Sequence, residues 1–234
     1  MRCHRMITGI VGLGFGLCMS LPAHALQLSN CQRGEQLRDA LGLGLMELAS
    51  MGANAATRQA VQQAAEEFYQ ENHVTVDPLL DAAMEAKEQA FRAYELGAED
   101  IEAKDHACTD AQAALVSACG PLITTMNGSL TAAQQTLHAR RLANPLMDSG
   151  LCLLDLTAQQ RSAIRMAQRA RDEVLRHHKL RKNLTKVRQA HEAFETALDS
   201  ILTSEQQTER QSLVTVRHQN LHDAMVFEET ACAE

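Results

Sequence analysis

Tryptophan is absent from this 234-residue chain, tyrosine occurs twice, phenylalanine five times and proline four times. A core built around aromatic side chains is thereby excluded. Strands are not expected either, because no stretch alternates apolar and polar residues for long. No glycine-rich phosphate loop is present: Gly42 and Gly44 stand in Leu41-Gly42-Leu43-Gly44-Leu45, which lacks the rest of such a motif. No Ser, Cys or carboxylate stands in a nucleophile or acid–base motif, so the sequence reads as a non-enzyme. Beyond the N-terminus no run is long and apolar enough to span a bilayer.

The N-terminus is the exception. Arg2 and Arg5 precede an apolar run from Met6 to Leu21, and Ala23-His24-Ala25 supplies a small-x-small cleavage pattern. The segment 1–25 therefore reads as a secretory signal cut after Ala25. A retained anchor is disfavoured by the short, glycine-containing run, and a lipoprotein by Leu17 before Cys18. The mature chain is expected in the periplasm, without stable membrane insertion.

Ala, Gln, Glu, Leu and Arg dominate the rest, a composition for helices with thin interfaces. Residues 26–150 hold 8 Lys/Arg against 17 Asp/Glu, whereas residues 151–234 hold 12 of each. Ten basic residues fall between Arg161 and Arg188, with only Asp172 and Glu173 opposing them. Such a run reads as a solvated helix face, as a surface for an acidic partner, or as a surface for the other half of the chain. Nucleic acid is excluded as a partner by export and by the lack of aromatic stacking residues.

Cys31, Cys108, Cys119, Cys152 and Cys232 follow the cleavage point. Export favours disulfides, and an odd number leaves at least one thiol free, intermolecular or metal-bound. Cys108 and Cys119 would lie about 16 Å apart on one unbroken helix, too far to bridge.

Helix boundaries follow from caps and breakers. Asp77-Pro78 reads as a helix start ending at Gly97. A second helix is expected from Asp100 to about Cys119, before Gly120-Pro121, and Asn127-Gly128 marks a turn. Thr157 opens a helix to about Arg181, Lys182-Asn183 turns the chain, and Leu184, Val187, Ala190, Phe194, Ala197 and Ile201 form one stripe. Thr203 opens a last helix towards Glu229. Short connections between long helices imply antiparallel hairpins in an all-α fold.

Three segments repeat Leu-Thr-x-x-Gln: Leu130-Thr131-Ala132-Ala133-Gln134, Leu156-Thr157-Ala158-Gln159-Gln160 and Leu202-Thr203-Ser204-Glu205-Gln206. Each is a capping box, in which Thr accepts from the N–H three residues on and Gln reaches back to the Thr N–H. Asn54 to Val61 also aligns with Thr157 to Ile164, so residues 26–150 read as a diverged copy closed by the box at Thr131, or as chance similarity between alanine-rich helices.

Two such boxes flanking a hairpin in an exported chain resemble the periplasmic LTxxQ family, with its Spy/CpxP-like and ZraP-like branches. The match is strongest from Leu151 to about Leu221. The resemblance implies an ATP-independent chaperone or envelope-stress protein, holding unfolded periplasmic clients on a concave helical surface. It also implies a cradle-shaped homodimer of hairpins, or in this chain two such units in tandem. Arg165, Arg169 and Arg176 are the residues expected to face clients. The alternative within the family is a metal-resistance protein, or a regulator bound to a sensor-kinase periplasmic domain. No cofactor is required by the chaperone reading. For the metal reading, His218 and His222 stand four apart on one helix face, a spacing that suits zinc or copper.

Overall fold

The computed structural model describes residues 29–96, 99–144, 147, 150–179 and 183–231. The expected signal segment and the cut after Ala25 lie outside the described residues, as does Cys232. Among the described residues every regular element is a helix: α1 (Asn30–Ala40), α2 (Leu45–Ser50), α3 (Ala55–Leu96), α4 (Ile101–Ala118), α5 (Gly120–Gly128), α6 (Ala132–Ala143), α7 (Ala158–Lys179), α8 (Leu184–Ile201) and α9 (Ser204–Ala231). The all-α class is as expected. None of these helices is long and apolar enough to cross a membrane.

α3 is the spine. It packs on α1 and α4 and also touches α5, α7 and α9, while α7 pairs with α8 and α2 with α9. Close approach of α1 to α3 depends on Gly34, where a Cβ would stand 2.9 Å from the Glu66 Cα. After α1 the chain turns sharply through Gly42, whose φ of +82° suits glycine alone. That turn buries Leu41 and Leu43 completely.

The caps explain most boundaries. All three Leu-Thr-x-x-Gln boxes form reciprocally, the Thr hydroxyl accepting from the Gln N–H and the Gln side chain from the Thr N–H. Their leucines, Leu130, Leu156 and Leu202, are buried. Asn54 caps α3 by accepting from the Thr57 N–H at 2.9 Å, and Asn183 caps α8 by accepting from the Lys186 N–H at 3.2 Å. A fourth box, Ser29 with Gln32, opens α1 and was not read from the sequence.

One boundary is corrected. Asp77-Pro78 does not start a helix; Pro78 lies inside the 42-residue α3. Pro78 leaves the Val74 carbonyl without its helical donor, and Val74 is 79% exposed, on a face open to water. The Asp77 carboxylate does not cap. It accepts from Tyr69 Oη at 3.0 Å and from Arg33 of α1. Val76 and Leu80 are buried on either side. Tertiary packing across the proline thus outweighs the local stop signal.

A single apolar core runs through both halves of the chain. It joins Leu37, Leu48, Val61, Leu80, Leu115 and Met126 to Leu151–Leu154, Ile164, Phe194, Leu198 and Leu213. Cys31 is disulfide-bonded, while Cys108, Cys119 and Cys152 are free and buried.

Candidate functional site

The boxes do more than start helices. Gln160 Nε2 donates to the Ile201 carbonyl at 3.0 Å, and Gln206 Nε2 donates to the Asp155 carbonyl at 2.5 Å. In each case the acceptor is the residue two before the other box's Thr. The two side chains also bond each other, from Gln160 Nε2 to Gln206 Oε1 at 2.7 Å. Each glutamine therefore caps its own helix and clasps the segment leading into the other.

The first half repeats parts of this pattern. Gln134 Nε2 donates to the Met51 carbonyl at 3.1 Å, tying the box at Thr131 to the chain just before the Asn54 cap. Arg58 and Arg161, each four residues after its cap, donate Nη1 to the carbonyl before that cap, Ala53 at 2.7 Å and Leu156 at 2.8 Å. Gln135 and Gln207, four residues after the other two caps, reach the carbonyls of Leu130 and Leu202. They also reach eight residues back, to Asn127 and Asp199. Val61 and Ile164, seven residues after their caps, are both fully buried. The missing element is a partner at Thr57, which stands where Gln160 does and is too short to clasp.

Two of the three arginines singled out from the sequence have intramolecular partners. Arg165 and Arg169 converge on Asp105 of α4, with nitrogens 3.7 Å and 3.2 Å from its Oδ2, and Arg169 also lies 3.7 Å from Glu102. The Asp105 side chain is 4% exposed and those of the two arginines about 30%. The basic face of α7 is thus directed at the acidic first half. Arg176 stands on α7, but its side chain lies outside what is described, as do those of His177 and His178.

His218 and His222 are exposed on α9, and His222 lies 3.5 Å from Asp223. No group of three or more His, Cys, Asp or Glu able to hold a metal occurs among the described residues.

The feature that sequence reasoning missed is a groove of about 520 Å³ between α1, α3, α4 and α6. Its apolar lining includes Met84 and Phe91, which are 41% and 53% exposed. Lys87, Glu88 and Arg92 stand beside them on α3, and Arg141 and Leu142 of α6 close the far side. Arg141 is held by Glu47 at 2.8 Å. Cys108 also lines the groove, 3% exposed, and burial pushes its thiol above the usual range. The signal that could have found it is the spacing of Met84 and Phe91, seven residues apart and so two turns along one face of α3, among Lys87, Glu88 and Arg92.

No protein-family model, no curated protein and no solved structure matches the chain. Fold and site define an all-α protein with clasped capping boxes and a half-apolar groove.

Proposed function

We propose that the protein is an exported, ATP-independent chaperone of the LTxxQ kind, built as two hairpin units in tandem, that holds unfolded clients against its helical surface. The observation that carries this reading is the groove. Met84 and Phe91 offer adaptable apolar contact in open reach of water, and Lys87, Glu88 and Arg92 border them with both signs of charge. Exposed apolar side chains rimmed by polar ones suit weak binding of extended segments. No nucleotide site or catalytic group is needed for such holding.

The tandem reading is supported by the paired contacts of Arg58 with Arg161 and of Gln135 with Gln207. Arg165 and Arg169 contribute by tying α7 to Asp105 and Glu102 of α4, which holds the two halves together beside the groove. Direct apolar contact falls to the groove.

The test is suppression of client aggregation without ATP at near-stoichiometric ratio. Phe91→Ser with Met84→Ser, both at exposed positions, should reduce suppression several-fold while leaving the helical content unchanged. Failure to protect any of several unrelated clients would overturn the reading, and so would full activity in the double variant.

A further inference from the structure

One wall of the groove is the turn between α1 and α2, and side chains from two other helices hold it. Gln112 of α4 donates Nε2 to the Ala40 carbonyl at 2.5 Å. His138 of α6 places Nε2 2.8 Å from the Leu41 carbonyl. Arg141, one helical turn on, lies so close under Gly42 that a Cβ there would stand 2.8 Å from the Arg141 Cγ. Gly42, Arg141 and Leu142 all line the groove. The His138 ring between them is 0% exposed, and its Nδ1 lies 2.8 Å from Asn127 Oδ1 at the end of α5.

Asn127 can serve either form of the ring. The neutral imidazole donates Nε2–H to Leu41 and accepts at Nδ1 from the Asn127 amide, once that amide is turned by half a rotation. The imidazolium donates Nδ1–H to the Asn127 oxygen. A hydrogen bond is therefore available in both states, and what the cation lacks is a counter-charge. Both ring partners are neutral, α5 carries no charged residue, and α6 presents Arg140 and Arg141. On α2, Glu47 is already bound to Arg141. On α1, Asp39 is bound to Arg38. Burial, opposed by the hydrogen bond to the Leu41 carbonyl and reinforced by Arg141, holds the ring's pKa below the usual histidine value.

We propose that His138 is a proton-operated latch on the groove: the neutral ring pins α6 to the α1–α2 turn, and a second proton drives α6 off that turn and opens the wall. The sign follows from linkage. The exposed ring of the open form titrates near the ordinary histidine value of about 6.5, above that of the closed form. Closure is therefore fully favoured above about pH 6.5, is progressively lost as the pH falls, and levels off below the closed-form value.

Cys108 reports the opening, since it lines the groove, whereas Cys119, buried between α4 and α5, serves as the control. Thiol labelling of the full chain between pH 7.5 and 5.0, without client, is resolved by peptide and divided at each pH by the rate in the urea-unfolded chain. Protection of Cys108 should fall about tenfold for each unit separating the two histidine values, while Cys119 stays protected. His138→Gln keeps a donor for Leu41 without titrating, and its Cys108 protection should not change with pH. Asn127→Asp supplies the missing counter-charge and should keep Cys108 protected at pH 5. Cys108 protection that is flat in the native chain, or that falls equally in either variant, would overturn the latch. Because no client is present, this outcome is independent of the chaperone assay.

Discussion

Asp105 is the residue whose removal should matter most for its size. Its carboxylate is buried and answers two arginines from α7 across the chain. Asp105→Asn keeps the shape and leaves both guanidiniums facing an amide. Breaking a buried pair by removing one partner costs about 3–5 kcal/mol, and the partial exposure of the arginines puts the expected loss near about 3 kcal/mol, measurable by urea unfolding. The sequence showed ten basic residues with few acids nearby, and left open whether that face meets solvent, an acidic partner or the other half. Asp105 could not be singled out, because its partners are 60 and 64 residues away and only folding brings them together. The cysteines give a second expectation at this scale. Burial pushes the Cys119 and Cys152 thiols up to about 11. At pH 8 only about one in a thousand is thiolate, so alkylation of either should require unfolding. Rapid labelling of the native protein at either position would contradict the burial.

Helix ends were legible because caps are local: a hydroxyl and an amide three residues apart find each other without tertiary help. Thr157, Thr203, Thr131 and Asn54 all cap as their sequence context requires. The clasp between boxes was not legible, since it joins carbonyls 41 and 51 residues away. It predicts non-additivity. Gln160→Ala and Gln206→Ala should each cost about 1–2 kcal/mol through lost caps and clasps. The double variant should cost less than their sum by about 0.5–1 kcal/mol, since each side chain bonds the other. A double-mutant cycle in urea measures this, and strict additivity would mean the two boxes act alone. Pro78 shows the opposite failure, a strong local signal overridden at a distance. Arg33 and Tyr69 hold Asp77, and buried Val76 and Leu80 bracket the proline, so α3 continues through it. Pro78→Ala restores the donor to Val74. A proline inside a helix costs about 3 kcal/mol, and the alanine chain's greater freedom when unfolded returns up to about 1. The expected gain is about 2 kcal/mol in thermal or urea unfolding.

At the scale of the molecule, the two halves share one core rather than owning one each. Leu151–Leu154 enter it from the connection between them, Ile164 from α7 and Leu213 from α9, and they meet Leu37, Leu48 and Val61 from the first half. α2 packs on α9, and α3 touches both α7 and α9. Arg140 of α6 binds Glu209 of α9 at 2.6 Å, and Asp105 ties α4 to α7. Charge follows the same division, because an acidic first half meets the basic α7. Two independent hairpins would unfold in separate steps. A shared core makes the surface lost by one half a cost to the other, so the transitions merge. Calorimetry of the full chain should therefore show one peak, with van't Hoff and calorimetric enthalpies equal. Asp105→Asn should lower that peak without splitting it, because the apolar contacts across the halves remain. A second peak in the native chain would mean that the contacts between α2 and α9 and between α3 and α7 contribute too little to couple the halves, and that each half unfolds on its own.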